Sequence, residues 1–389
     1  MIKCKIIEDN LNKILPNIIN LRKEIHQNPE LGYQEYKTTG LIVEFLKNLG
    51  ITVETKYSET GAVGLLKVPG AVKTLAIRAD IDALPIQEET GAQFASKNDG
   101  VMHACGHDVH SAVVMGVANL LSNLKDYLKL NIKFIFQPAE ECSPEGGAKL
   151  MIENGVLDDV DAILGLHVWP DLPVGTIGTI LGNAMAASDR IKILIEGKSS
   201  HAAEPQNGID SLFIAGQVIN LISSFRAKYI DPYENVIMTI GSIQSEGRYN
   251  IVCPKIFMDG TIRTLSENTR VYIKEKLPVV ITNLVKSFDG NCKVDIIKGY
   301  DVLKNDPVMT EKFVETSKEI LGINNVLTDI RPTMISEDFS FYAKRIPAVY
   351  FFLGCESKIP LHSSRFLPNE KCIPVGIKAI SNFVLNGNI

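Results

Sequence analysis

A block of about 110 residues with the element order β-α-β-β-α-β interrupts a chain that otherwise alternates strand and helix, and this constrains the architecture most. Before the block, helices are expected over Asn17–Gln27, after Pro16, and over Glu35–Leu49, closed by Gly50. Short strands follow at 51–55, 62–68 and 74–78, then a helix over Val109–Leu124, a strand at 132–136, a helix near Gly147–Asn154 and a strand at 162–166. The block holds a strand at 191–195, an amphipathic helix over Ile209–Phe225, strands near 236–240 and 256–262, a helix over Glu267–Phe288 and a strand at 293–297. From Asn305 the α/β character returns and ends in a helix near Val375–Leu385. The expectation is an α/β domain with a mixed, largely parallel sheet over residues 1–185 and 299–389, carrying an inserted ferredoxin-like α+β domain over 186–298.

Composition narrows the class. The chain has 389 residues, and its 40 Lys+Arg against 45 Asp+Glu give a net charge of −5, which speaks against a nucleic-acid partner. Apolar runs are too short to span a membrane, and Met1–Lys13 mixes charged with apolar residues, unlike a signal peptide. The seven cysteines are odd in number, scattered and never spaced as C-x-x-C, a pattern of reduced thiols in a cytoplasmic protein.

Groups able to do chemistry gather at strand ends. Asp80 and Asp82 follow an apolar strand, and their spacing puts both carboxylates on one face if the strand continues; a polar turn ended by Pro85 is the plainer reading. Met102–His110 packs His103, Cys105, His107, Asp108 and His110 together, good ligands for zinc or a similar transition metal. Asp108 is placed to cap the following helix, and a Cys/His nucleophile pair is the competing chemistry, without an acyl-transfer signature. Glu140 and Glu141 follow another apolar strand, so one could bind metal while the other handles a proton, or both could favour a helix N-terminus. Taken singly, His167 reads as a core histidine, His201 as a turn residue and His362 as a loop residue. Together with Cys105, His107 and the glutamate pair they suffice for a two-metal centre, and of seven His only His26 lies outside these clusters.

The segments R-A-D-I-D-A-L-P, M-H-A-C-G-H-D-x-H, Q-P-A-E-E, L-G-L-H-V-W-P, S-S-H-A-A-E-P, S-E-D-F-S and L-H-S-S-R-F occur in this order. In them the chain resembles the metal-dependent N-acyl-amino-acid amidohydrolases, which include hippurate hydrolase, the auxin-conjugate hydrolases and N-acetyldiaminopimelate deacetylase, within the dinuclear aminoacylase–carboxypeptidase superfamily. The resemblance implies two divalent metals, manganese or zinc first and cobalt or nickel next, on Cys105, His107, Glu141, His167 and His362. It implies Glu140 as general base, Asp80 in support of the metal-site geometry with Asp82 as the other choice, and His201 as oxyanion donor, often lent to a neighbouring subunit. Asn250 and Arg263 would grip a substrate carboxylate. The implied reaction is hydrolysis of an N-acyl-L-amino acid by a homodimer or higher homo-oligomer joined through the inserted domain. Deacetylation of N-acetyldiaminopimelate, or dipeptide cleavage by the same site, is the alternative; a cysteine hydrolase and a non-catalytic ligand-binding protein are the other classes.

Overall fold

In the computed structural model, which describes residues 2–387 and 389, helix α1 (Ile2–Gln27) is the first departure from expectation. It starts well before Pro16, which sits inside it. Ile7, Leu11, Ile14, Ile18 and Ile25 form a buried stripe at helical spacing on both sides of the proline. Burial of that stripe outweighs the one backbone hydrogen bond the ring removes. The chain continues through α2 (Tyr36–Asn48), β1 (Thr52–Glu54), β2 (Ala62–Leu66), β3 (Thr74–Asp80), α3 (His107–Asn123), β4 (Asn131–Gln137), α4 (Gly146–Glu153), β5 (Ala162–Trp169) and β6 (Ile177–Thr179). It leaves this region along β7 (Gly182–Met185) and runs through β8 (Ala187–Glu196), α5 (Ser211–Tyr229), β9 (Val236–Ser245), β10 (Lys255–Thr264), α6 (Glu267–Lys286) and β11 (Asn291–Lys298). It returns along β12 (Leu303–Asn305), which pairs with β7, to α7 (Pro307–Leu321), β13 (Val326–Leu327), α8 (Ser340–Ala343), β14 (Ala348–Gly354) and α9 (Ile373–Asn386).

Two units result: Met1–Ala184 with Lys304–Arg331 and Asp338–Ile389, and Met185–Leu303 with Pro332–Glu337. The first holds an eight-stranded sheet in the order β1-β2-β4-β3-β5-β14-β6-β13. Its centre is parallel, β4 to β3, β3 to β5 and β5 to β14, whereas β1, β2 and the β14–β6 pairing are antiparallel. Every residue of β3 and β14 is buried, as expected of central strands covered on both faces. Helices α1, α3, α7 and α9 pack on one another over this core.

The second unit has the antiparallel order β11-β8-β10-β9, with α5 and α6 packed on one face, the ferredoxin-like arrangement of a β-α-β-β-α-β chain. The segment 332–337 joins it through backbone hydrogen bonds from Ala186 N–H to the carbonyls of Thr333 and Ile335. The fold class is therefore a mixed, largely parallel α/β sheet interrupted by an α+β insertion.

Candidate metal centre

The parallel strands β3, β4 and β5 deliver the polar residues at their carboxyl ends, where open α/β sheets place their ligands. Asp80 ends β3, Glu140 and Glu141 lie just past β4, and His167 is the sixth residue of β5. The loop before α3 contributes Cys105, and His107 begins the helix. Gly106 makes that approach feasible: its φ is +82°, and a Cβ there would lie 2.5 Å from a Val168 methyl. His362, from the loop after β14, is fixed by its backbone N–H donating to the Ala104 carbonyl at 2.9 Å. It has φ of +63°, a left-handed conformation held by the surrounding structure.

Cys105 Sγ lies 3.3 Å from His167 Nε2 and 3.3 Å from His362 Nε2, and His362 Nε2 lies 3.1 Å from Glu141 Oε1. Ligand atoms of Cys105, His107 and His167 cluster within 4.8 Å, as do those of Cys105, Glu141 and His362, and those of His107, Glu140 and Glu141. The ring orientations suit metal binding. His107 Nδ1–H donates to the Asp82 carbonyl at 2.9 Å and to its carboxylate at 3.1 Å, leaving a buried Nε2 with no hydrogen-bond partner. His167 Nδ1–H donates to the Val168 carbonyl at 2.7 Å, which turns Nε2 toward Cys105. Such carboxylate or carbonyl partners on the far nitrogen are the usual frame of a metal-binding imidazole.

Electrostatics point the same way. Burial and the carboxylates of Glu141, Glu140 and Asp80 push the Cys105 thiol well up, so its thiolate requires a cation beside it. Burial pulls the His107 imidazolium down, but Asp80 and Asp82 win and raise it to about 10. Burial alone would raise Glu141, yet His362 and His107 hold it below the usual carboxylate range. Thiol and imidazole, two soft-to-borderline donor types, together with two carboxylates in one largely buried cluster would suit divalent ions such as zinc or manganese.

The residues expected from the sequence divide as follows. Cys105, His107, Glu140, Glu141, His167, His362 and Asp80 gather in this cluster, all within the first unit. Asp82 takes the contact with His107, and its other oxygen accepts the Glu141 N–H at 2.9 Å. Asp80 instead bonds His110 Nδ1 at 2.5 Å and Arg78 at 2.7 Å, and lies 3.8 Å from His107 Nε2. In the second unit, His201 and Asn250 are exposed neighbours: Ala202, which follows His201, donates its N–H to the Asn250 carbonyl at 3.1 Å. Arg263 lies on β10, donates to Ser336 Oγ at 2.6 Å, and has its guanidinium lowered by burial.

One expectation is corrected. Asp108 does not cap α3: the N-cap is Gly106, with no side-chain cap bond. The Asp108 carboxylate is fully buried, 2.7 Å from Arg22 Nε and 2.8 Å from His26 Nδ1, because a buried charge needs cationic partners more than a helix end needs a cap. Several groups support the cluster in ways the sequence reading did not assign. His110 accepts the Val168 N–H at 2.8 Å while bonding Asp80, and Arg78 links Asp80 to Asp338 and Gln137 at 2.7 and 2.9 Å. His110 and Asp338 stood inside recognised segments, but nothing local in the sequence identified their partners.

The model for peptidase family M20/M25/M40 matches residues 76–386. The chain is 38% identical over 380 residues to thermostable carboxypeptidase 2 of Saccharolobus solfataricus, covering 96% of each. It is 36% identical over 364 residues to the N-acetyl-L-cysteine deacetylase of Bacillus subtilis, covering 94% of this chain and 86% of that protein. Among solved structures, the Bacillus subtilis YXEP protein, a dinuclear metal binding peptidase from the M20 family, superposes with a TM-score of 0.86 at 32% identity, covering 97% and 98% of the two chains. With the family model matching residues 76–386 and relatives 38% and 36% identical over nearly the whole chain, the chain belongs to peptidase family M20/M25/M40.

Proposed function

We propose that this M20-family metallo-amidohydrolase cleaves the amide bond of N-acyl-L-amino acids, releasing an acyl acid and a free amino acid, with Cys105, His107, Glu141, His167 and His362 holding two divalent ions. The observation that carries the reading is the buried Cys105 thiol between two imidazole nitrogens, each at 3.3 Å, beside the Glu140–Glu141 pair. Manganese or zinc is the first choice and cobalt or nickel the second, since the donor set accepts all four. When bound, the ions supply an acidified water and a Lewis acid for the acyl carbonyl. Glu140, next to a ligand but not needed as one, takes the proton of that water and returns it to the departing amine. Asp82 keeps His107 in one tautomer, and Asp80 does the same for His110. His201, of this or a neighbouring subunit, is assigned as the donor to the developing oxyanion, and Asn250 and Arg263 as the groups that bind the substrate carboxylate, Arg263 through paired N–H bonds. The relatives' deacetylase names, N-acetyl-L-cysteine among the substrates, support an N-acyl amino acid over a larger amide.

A second reading, peptide or N-acetyldiaminopimelate cleavage by the same site, is favoured by the 38% identity to a carboxypeptidase and 34% identity to the N-acetyldiaminopimelate deacetylase of Bacillus cytotoxicus. The seven free thiols support a cytoplasmic enzyme, and no helix among the described residues is long and apolar enough to cross a membrane. A homodimer through the inserted unit is supported by β9, an edge strand of its sheet with Ile237 and Ile243 exposed.

The test is a turnover panel of hippurate, N-acetyl-L-methionine, N-acetyl-L-cysteine, N-acetyldiaminopimelate and simple dipeptides, with each metal restored to the stripped protein. N-acyl amino acids are expected to be cleaved fastest; a clear preference for dipeptides moves the assignment to the second reading, and full activity without metal overturns both. Glu140→Ala is expected to keep its metals and lose about 10²- to 10⁴-fold in kcat. A metal-replete Glu140→Ala enzyme with ordinary turnover would remove Glu140 as the base.

A further inference from the structure

Between β4 and the glutamate pair the backbone makes an unusual turn. Ala139 has φ of +57°, a left-handed conformation costly for a residue with a Cβ, and it directly precedes Glu140 and Glu141. The turn is pressed from two sides. A Cβ at Gly147 would lie 1.9 Å from the Pro138 carbonyl oxygen, and one at Gly32 would lie 3.1 Å from Ala139 Cα. The Ala139 carbonyl accepts the N–H groups of Gly147 at 3.1 Å and Cys142 at 3.3 Å. Its own N–H donates to Glu35 Oε1 at 2.8 Å.

Glu35 is a peculiar partner. Its side chain is fully buried, and its other oxygen accepts the Thr60 hydroxyl at 2.6 Å. Among the described residues no lysine, arginine or histidine forms an ion pair with it. It occupies the N-cap position of α2 without capping the helix; Glu30 accepts the N–H groups of Lys37 and Thr38 instead, at 3.0 and 2.9 Å. Burial pushes its carboxyl up to about 7, against the hydrogen bonds from Thr60 and Ala139, with Asp82 adding to the rise. A buried carboxyl with no cation and no capping duty is expensive to keep, and what its Oε1 holds is the Ala139 N–H.

We propose that Glu35 is a positioning residue for amide hydrolysis: it locks Ala139 in the left-handed conformation and thereby fixes the direction in which Glu140 and Glu141 project. This rests on the assignment of Glu140 as base and Glu141 as ligand. Asp82 anchors the same turn two residues later, through the Glu141 N–H, so two buried carboxylates hold neighbouring parts of it.

The experiment uses the metal-loaded enzyme, the best substrate of the panel, and metal content and thermal melting beside the kinetics. Glu35→Leu removes the acceptor and is expected to lose about 10- to 100-fold in kcat, as misplaced catalytic groups do, with KM within about threefold. Glu35→Gln can still accept the Ala139 N–H while the Thr60 hydroxyl turns to accept from its amide, and should stay within about fivefold of wild type. Adding Ala139→Gly to Glu35→Leu, read against Ala139→Gly alone, should restore at least about fivefold, because glycine adopts the turn without being held there. A merely stabilising role predicts no such rescue. Should Glu35→Leu yield no folded protein, Glu35→Asp decides, since it keeps the charge but falls one methylene short of Ala139. It is expected to lose kcat at unchanged KM and regain it with Ala139→Gly. Wild-type kcat in Glu35→Leu or Glu35→Asp, or a loss that Ala139→Gly does not relieve, overturns the positioning role. Ordinary turnover in Glu140→Ala, measured alongside, would instead overturn the base assignment.

Discussion

Cys105 and His107, two of the proposed ligands, both carry protons that metal binding would displace. Burial and neighbouring carboxylates push the thiol well up, and Asp80 and Asp82 lift the His107 imidazolium to about 10 despite its burial. Near pH 7.5 both groups are protonated in the metal-free protein, so uptake of metal is expected to release about two protons from this pair. Calorimetric titration in buffers of different ionisation heat measures that number, and a value near zero would contradict Cys105 and His107 as ligands. Asp82 acts one step removed, through His107 Nδ1 at 3.1 Å and the Glu141 N–H. Asp82→Asn is therefore expected to weaken metal binding about 10- to 100-fold in a chelator competition, the usual cost of losing such a partner. At this scale the cluster of candidate ligands was legible because Cys, His and adjacent Glu are scarce and clustered in sequence. The division of labour between Asp80 and Asp82 was not, because their spacing allows either one to reach His107, and the structure sets Asp82 against Nδ1 and Asp80 3.8 Å from Nε2.

Among the elements, α1 and α3 are joined by the buried ion pair of Arg22 with Asp108, extended by His26 to Glu88 at 3.2 Å. Burial works against a charged His26, but the two carboxylates prevail and raise it, and Glu88 in turn falls to about 2, burial opposed chiefly by its bond from His26. The end of α2 behaves differently. Glu35 has a folded pKa of about 7, well above that of an unfolded glutamate, so the folded state binds the extra proton between roughly pH 4.3 and 7. Its contribution is fully present below the unfolded value and lost as pH rises through the folded one, at most about 4 kcal/mol. Across that window the stability of Glu35→Gln is expected to gain on wild type by an amount of this order, measured by urea unfolding at each pH. Parallel curves would show that Glu35 does not titrate there. The helix α1 and the role of Asp108 show why elements were only partly legible. Pro16 and an acidic residue at a helix start are local signals, and both were overruled by burial: of an apolar stripe in one case, of a charge in the other.

The whole molecule is two units with separate apolar cores, and all five proposed ligands lie in the first. They come from α3, its preceding loop, the ends of β4 and β5, and the loop after β14, so bound ions tie together parts of the chain that lie far apart in sequence. Chelation is accordingly expected to lower the melting of the first unit, by the equivalent of about 4 kcal/mol where metal had stood at a thousandfold over its Kd. Scanning calorimetry resolves this, with the second unit's transition expected to stay in place; equal shifts in both would mean that the units melt as one.

By itself the amino-acid sequence determined the alternation of strands and helices, the β-α-β-β-α-β insertion and the scarce ligand residues. These depend on side-chain periodicity and residue type, which are local properties. Only the tertiary structure decided that Asp82 bonds His107 Nδ1 while Asp80 bonds His110, that Asp108 pairs with Arg22 and His26, that His110 bridges Asp80 to β5, and that Glu35 holds Ala139. Each of these pairs a buried polar group with a partner from a distant segment. Which partner satisfies it depends on strand order and helix docking, quantities set by the packing of the whole core and absent from any short stretch of chain.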